Sequence, residues 1–235
     1  MISNAEKLRS FTKGGSGSGN FGHSGIPGQV GGSGSGGGSD STSGYNFIKE
    51  PHPDGVGWAS SLSKEQERSV DKWEKDVTDY RKWQKEGKNP KSLQNLDQAL
   101  STAPTVSGIE YRGLVLRGTT LDEAFSEGSI ITFDTHASAS PNMTDALGYT
   151  KPGPGGQGYE PGKATLLRIK SNSAKDISAF KRQSKFAPIE HVITKGSKFR
   201  VTGIKKSQTY ESDLFNMQTR KNNVYTTDVV EMEEL

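Results

Sequence analysis

Three short segments of the chain carry the residue types that can do chemistry: Arg112, the serine pair Ser138 and Ser140, and Glu190. A guanidinium group binds phosphate through paired charge-assisted hydrogen bonds, and a carboxylate stabilises positive charge that develops in a transition state. Taken singly, each segment has an ordinary structural explanation, because charged side chains are mostly solvated and Ser-x-Ser commonly forms a turn or a helix cap. The order of the three segments along the chain is a more specific indication of function than any one of them alone.

This order resembles the Arg-Ser-Glu class of ADP-ribosyltransferases, which includes bacterial exoenzymes, phage transferases and vertebrate ectoenzymes. Residues 110–114 read Glu-Tyr-Arg-Gly-Leu, like the Tyr-Arg-Gly strand that comes first in the family. Gly-Ser-Ile-Ile-Thr-Phe at residues 128–133 then precedes Ser-Ala-Ser at residues 138–140. Glu190 follows, with Gly-Ser-Lys-Phe-Arg-Val at residues 196–201. The resemblance implies a mono-ADP-ribosyltransferase of the glycosyltransferase class that consumes NAD as its substrate and needs no metal.

The resemblance also implies roles for five residues. Cleavage of the nicotinamide–ribose bond builds positive charge on the ribose, and Glu190 is expected to be the catalytic carboxylate that stabilises it. Arg112 is expected to hold the pyrophosphate of NAD, and Gly113 to let the backbone approach the cofactor closely. Ser138 is expected to hydrogen-bond within the site and to hold Glu190 and the ribose in register. Ser140 is expected to support Ser138.

Arg117 is an alternative to Arg112, because Arg117-Gly118 repeats the Arg-Gly pair five residues later. We favour Arg112, since Tyr-Arg-Gly-Leu matches the family motif better and its distance to Gly128 suits the family.

The segment before Glu190 departs from the family. Arginine-modifying members carry Glu-x-Glu and asparagine-modifying members Gln-x-Glu, whereas this chain has Pro188 two residues before Glu190. The spacing from Glu190 to Gly196 matches the spacing from the catalytic glutamate to this glycine in the family. If Glu190 were instead the first glutamate of the motif, Val192 would occupy the catalytic position. Pro188 has no polar side-chain group and no N–H. This weakens the expectation of transfer to arginine and makes NAD hydrolysis an alternative reaction.

Helices are predicted in front of the arginine strand. One helix is predicted over residues 62–86, with a capping box at Ser63 and Gln66. Its apolar face consists of Val70, Trp73, Val77 and Tyr80. A second helix is predicted at residues 92–101, capped by Ser92, with Leu93, Leu96 and Leu100 on one face. A short helix also fits residues 142–150.

Short β-branched segments separated by Gly, Pro or Asn predict the strands that follow: 109–117, 129–134, 164–170, 188–193, 198–205 and 226–232. Helices first and strands afterwards predict an α+β fold. The resemblance implies a mostly antiparallel, two-sheet β core.

Composition divides the chain at residue 57. Fourteen of the 29 glycines lie in residues 1–44, and this Gly/Ser-rich segment cannot bury enough apolar surface to fold. We therefore expect residues 1–57 to be a disordered, flexible tether and residues 58–235 to be the ADP-ribosyltransferase-like domain.

The chain has no cysteine, a net charge of +3 and no long apolar run. These features give no indication of a disulfide framework, a nucleic-acid partner, a membrane span or secretion. The expected partner is a protein target. An Asn-Phe-Gly-His motif at residues 20–23 resembles glycine-rich segments of tailed-phage head proteins. It suggests a toxin-like host-modifying factor of the phage virion or the bacterial host cytoplasm, with a non-catalytic phage-particle binding module as another alternative.

Overall fold

The computed structural model describes residues 50–116, 118–150, 163–180, 189–216 and 221–235. Arg117, Pro188, the phage-like motif and most of the predicted tether lie outside these residues. Helix α1 (Gly55–Ser61) begins before the predicted domain boundary at residue 58, and the His52 N–H donates to Asp176 Oδ2 at 2.6 Å. His52 and Gly55, which precede the predicted boundary, therefore already contact the domain.

The predicted helix over residues 62–86 is two helices, α2 (Lys64–Lys75) and α3 (Thr78–Lys85). The capping box of Ser63 and Gln66 at the start of α2 is confirmed. The break comes at Asp76, whose backbone is extended (φ −155°, ψ 105°) and whose Oδ1 accepts the Thr78 N–H at 2.9 Å. An aspartate that caps the next residues in this way competes with the helix for the backbone.

Helix α4 (Lys91–Thr102) buries Leu93, Leu96 and Leu100 as predicted, although Pro90 occupies the N-cap position predicted for Ser92. Two short helices follow, α5 (Leu121–Ala124), which the sequence did not predict, and α6 (Met143–Leu147), which continues as a 3-10 turn at Gly148–Thr150. None of the helices in the described residues combines the length and the apolar character of a membrane-spanning segment.

Among the described residues, seven strands form one hydrogen-bonded sheet: β1 (Thr105–Val115), β2 (Ile130–Thr132), β3 (Ala137–Ala139), β4 (Ala164–Asp176), β5 (His191–Ile193), β6 (Lys198–Asn216) and β7 (Lys221–Glu234). Their order is β2-β6-β7-β4-β5-β3, and β1 pairs with β4 beside this path. The β4–β7 pair is parallel and the other named pairs are antiparallel. The α+β class is confirmed, and β4 joins the two parts of the β core by pairing with β7 along its first half and with β5 at its end.

The strand lengths differ from those predicted. β4, β6 and β7 are longer, because β-structure continues through polar sequence once a neighbouring strand supplies the hydrogen bonds. β5 begins only at His191 and not at residue 188, and β3 was not predicted.

Of the three apolar clusters among the described residues, one packs α6 on the sheet and the other two hold the remaining helices. One of these two lies where α5, β2, β6 and β7 meet β4, and includes Phe125, Phe133, Phe199 and Ile169. The other packs α1 to α4 against the end of β4 and against β5, where Trp73, Tyr80, Leu96, Ile177 and Val192 are buried. Helices α2 and α3 are thereby held beside the start of β5.

Candidate active site

β1, β3 and β5 bring together the arginine, serine and glutamate of the sequence motif. Tyr111 and Ser140 exchange backbone hydrogen bonds of 2.7 and 2.9 Å, which join β1 to the end of β3. β3 in turn pairs with β5, with Ser138 opposite Val192. Arg112 donates from Nη1 to the Ser138 carbonyl oxygen at 2.5 Å. The prediction that Arg112, Ser138 and Glu190 share one site agrees with this geometry.

Glu190 lies one residue before β5, and its carboxylate faces Ser138 and the indole of Trp73. Burial raises the pKa of the Glu190 carboxyl above its usual range, although hydrogen bonding from Ser138 and Trp73 and the charge of Arg81 oppose this shift. Trp73 Nε1 is buried and has no partner within normal hydrogen-bond geometry. Its contact with Glu190 is therefore long or bent. Val192, which would be the catalytic position in the other register of the motif, is fully buried in the helix-facing cluster.

Arg112 lies close to a second cation, Arg81, as well as to the Glu190 carboxylate. Burial, together with the nearby charge of Arg81, lowers its pKa to about 9, while Tyr149 and Glu190 act in the opposite direction. The guanidinium remains protonated at neutral pH. Its hydrogen-bond partner on β3 is a neutral carbonyl, so an anion bound here would find a cation in place.

Two cations of α3 were missed in the sequence. Arg81 Nε is buried and unpartnered, and the guanidinium carbon lies 6.0 Å from the centroid of the Trp73 ring. Burial lowers the pKa of Arg81, whereas the charges of Glu190 and Asp76 raise it. Lys85, one helical turn further along, has its pKa lowered by burial and by the charge of Arg81. Arg81, Lys85 and Arg112 together could bind a diphosphate.

Tyr149, in the turn after α6, is a further residue that the sequence did not assign to the site. It is 49% exposed, and burial of its hydroxyl together with the charges of Glu190 and Asp145 raises its pKa to about 12. Tyr149 is therefore close enough to Arg112 and Glu190 to influence both groups electrostatically.

Gly113 and Ser140 support α6. A Cβ at residue 113 would lie 1.9 Å from the Ala146 carbonyl oxygen, so this glycine is needed for the close approach of α6 to β1. The Ser140 hydroxyl donates to Asp145 Oδ2 at 2.8 Å and accepts the Asn142 N–H at 3.1 Å, which fixes the turn into α6. The backbone approach of Gly113 is thus to α6, and the Ser140 hydroxyl is engaged with α6. Direct contact of either residue with a cofactor stays a prediction.

In the part of the chain that the structure describes, no three His, Asp or Glu side chains are grouped so that they could hold a metal ion. The residues that could hold a cofactor are the three cations and the hydroxyl of Ser138.

Solved structures identify the fold. No protein-family model and no curated protein matches the chain. The Vis toxin, an ADP-ribosyltransferase from Vibrio splendidus, is similar with a TM-score of 0.52 and 15% identity over 76% of each chain. The enzymatic component C2-I of the C2-toxin from Clostridium botulinum has a TM-score of 0.52 and 15% identity over 76% of this chain and 44% of C2-I. The chain therefore has the fold of the ADP-ribosyltransferases, which confirms the predicted fold.

Proposed function

We propose that this protein is a mono-ADP-ribosyltransferase that cleaves NAD and transfers ADP-ribose to a protein side chain. The observation that carries the proposal is the position of the Glu190 carboxylate, which lies against Ser138 and Trp73 and is electrostatically coupled to Arg81 and Arg112. A negative group beside a cluster of cations fits a substrate that carries phosphates at one end and develops positive charge at the other.

The chemistry assigned to these residues follows from the reaction. As the nicotinamide–ribose bond breaks, both bonding electrons leave with nicotinamide and the ribose becomes oxocarbenium-like. The carboxylate of Glu190 stabilises that charge in the transition state more than in the ground state. Arg81 and Arg112 hold the pyrophosphate, so that the anomeric carbon stays next to the carboxylate. The Ser138 hydroxyl is close enough to the carboxylate to affect its pKa, and we assign to it the role of orienting the carboxylate.

The acceptor distinguishes the proposal from NAD hydrolysis. Pro188 provides no polar group two residues before Glu190, which favours water or an unusual side chain over arginine. A structure of Vis similar to this chain (TM-score 0.52, 16% identity, 77% of this chain and 81% of Vis) contains agmatine, which carries a guanidinium group. Agmatine is therefore a suitable small acceptor with which to test transfer to a guanidinium.

The test is incubation of the full chain with NAD labelled in the adenosine part, in the presence of bacterial lysate or agmatine. Label on protein supports transfer, free ADP-ribose supports hydrolysis, and intact NAD in all conditions contradicts both. Glu190→Gln should nearly abolish turnover while leaving the fold intact. Glu65→Gln, which changes an exposed carboxylate in the first turn of α2, is the matched control and should turn over NAD like the wild type.

Deletion of residues 1–44 should leave NAD turnover per molecule unchanged, since we assign the chemistry to residues of the folded domain. We further propose, from the short Asn-Phe-Gly-His motif, that the protein acts in a bacterial host of a phage.

A further inference from the structure

Four buried polar residues lie next to the main chain of Glu190 and are linked to one another. They come from three strands and the turn after β4, and are between 2 and 7% exposed: Glu110, Asp176, Ser178 and His191. Buried polar groups that are not hydrogen-bonded cost stability, and a cluster of this kind inside a domain calls for an explanation. We refer to these four residues as the rear cluster.

Ser178 holds both backbone groups of Glu190. The Glu190 N–H donates to Ser178 Oγ at 2.9 Å, and Ser178 Oγ donates to the Glu190 carbonyl oxygen at 3.1 Å. The Ile177 N–H also donates to that carbonyl, at 3.1 Å. Because β5 begins at His191, Glu190 lies just outside the strand ladder and takes its backbone partners from this turn instead.

Asp176 connects Ser178 to the next residue of the chain. Its Oδ1 accepts the Ser178 N–H at 2.7 Å and lies 3.9 Å from His191 Nε2. The other ring nitrogen of His191, Nδ1, lies 2.8 Å from Glu110 Oε1 on β1. His191, the residue after Glu190, is thus held between β1 and β4. The main chain of Glu190 is held by Ser178, which is itself fixed by Asp176.

We propose that Ser178 and His191 are positioning residues that hold Glu190 in its productive orientation. This rests on the proposed function, in which Glu190 is the catalytic carboxylate. A catalytic group must be held to within roughly 0.5 Å, and a misplacement of about 1 Å can cost about 100-fold in rate. Because Glu190 lies outside the β3–β5 ladder, its main chain is held by the Ser178 hydroxyl and the Ile177 N–H. Ser178 is in turn fixed by Asp176 of the rear cluster.

Ser178→Ala removes both hydrogen bonds between the Ser178 hydroxyl and the Glu190 main chain and leaves the one from the Ile177 N–H. We expect kcat for NAD cleavage to fall about 10- to 100-fold. KM for NAD should change by less than about threefold, because the hydrogen bonds of Ser178 go to Glu190 and Asp176 and not to the cations proposed to bind phosphate. Ser178→Thr keeps the hydroxyl and should restore most of kcat. If Ser178→Ala does not fold, Ser178→Cys takes its place, because a thiol is a weak donor and acceptor of similar size. Wild-type kcat in a folded variant without the hydroxyl overturns the proposal, as does an equal loss in Ser178→Thr.

His191→Asn tests the second half of the cluster. The groups that face Glu190 from the surrounding elements are Trp73, Arg81, Arg112, Ser138, Tyr149 and His191. Burial raises the pKa of Glu190, and the charge of His191 is among the influences that lower it. The asparagine amide can still donate to Glu110 but carries no charge. The acid limb of the kcat profile should therefore move to higher pH, and an unchanged limb in a folded variant contradicts the proposal.

A readout without turnover separates this proposal from the proposed function. The pH titration of the Glu190 side-chain carboxyl can be followed by ¹³C NMR in the full chain and assigned by its loss in Glu190→Gln. If Glu190→Gln retains wild-type turnover, the catalytic assignment is wrong, yet the titration still reports whether His191 acts on Glu190. If Glu190→Gln is inactive and both the Ser178 and His191 variants behave like the wild type, the catalytic assignment stands and the positioning proposal fails.

Discussion

Adding a methyl group at residue 113 tests whether Gly113 is needed for packing or for cofactor binding. The ideal Cβ of Gly113→Ala would lie 1.9 Å from the Ala146 carbonyl oxygen and 3.0 Å from Tyr149 Cβ. Ordinary van der Waals contact begins at 3.4 Å, so the α6 backbone must retreat by about 1.5 Å. A backbone carbonyl cannot rotate away as a flexible side chain can.

Overpacking of this kind costs about 1–3 kcal/mol, and we expect about 3 kcal/mol because a backbone atom is involved. For a domain of this size, 1 kcal/mol corresponds to roughly 2–4 °C in Tm, so Gly113→Ala should lower Tm by about 6–12 °C. Turnover should fall as well, since Tyr149 and the turn from Ser140 move together with α6. Thermal unfolding followed by circular dichroism, with NAD binding measured by calorimetry at a temperature where the variant is folded, gives both quantities.

Gly148→Ala is the control, because it lies in the same segment. Its backbone is helical (φ −58°, ψ −26°) and an added Cβ meets nothing within 4 Å. Its Tm should be unchanged, or higher by the equivalent of about 0.4–1 kcal/mol. A Gly113→Ala protein with the wild-type Tm but no NAD binding would refute the packing argument and restore the cofactor role predicted from the sequence.

Three further predictions concern charge. Arg81→Gln should raise KM for NAD at least about tenfold, and Tm should not fall because Arg81 Nε is buried and unpartnered. The control is Arg68→Gln, which changes an exposed arginine, and equal KM values for the two variants would contradict the role of Arg81. In a pH–rate profile of NAD cleavage, activity should be lost on the acid side with a midpoint above the usual glutamate pKa. The reason is that burial raises the pKa of Glu190 and the carboxylate form is needed, so a midpoint near 4.5 would contradict the assignment. Glu234→Gln should lower stability at pH 7 by about 1 kcal/mol in urea denaturation, against less than about 0.5 kcal/mol for Glu233→Gln, and equal losses would refute the difference.

The Glu234 prediction has a defined pH window. Burial acts to raise the pKa of this carboxyl, but hydrogen bonds from Ser173, Asn172 and Ser171 outweigh it, so the folded pKa is lower than the usual value. The Asn172 and Ser173 N–H groups donate to Oε2 at 2.5 and 3.1 Å. A depressed folded pKa contributes stability above the unfolded pKa, and that contribution is lost as pH falls through the folded pKa. The difference between the variant and the wild type should therefore shrink in acid.

Arg112, Ser138 and Glu190 could be found from the sequence because their motif is tied to the order of the strands that carry them. Arg81 could not be found in this way. Its local sequence does not distinguish it from exposed Arg68, and its direction is set by the break at Asp76. Hydrophobic spacing does not reveal that break, because Val77 and Tyr80 after it pack in the same cluster as Val70 and Trp73 before it.

The directions of the pKa shifts link the fold to the proposed substrate. Burial lowers the pKa values of Arg81, Lys85 and Arg112 and raises that of Glu190, so each group is less stable in its charged form here than in water. The site therefore holds charges that its own residues do not fully compensate, which reduces the stability of the folded protein. A pyrophosphate next to the cations and a developing oxocarbenium next to the carboxylate would compensate both kinds of charge. The oxocarbenium-like charge exists only in the transition state, so its attraction to the carboxylate is the interaction that accelerates the reaction.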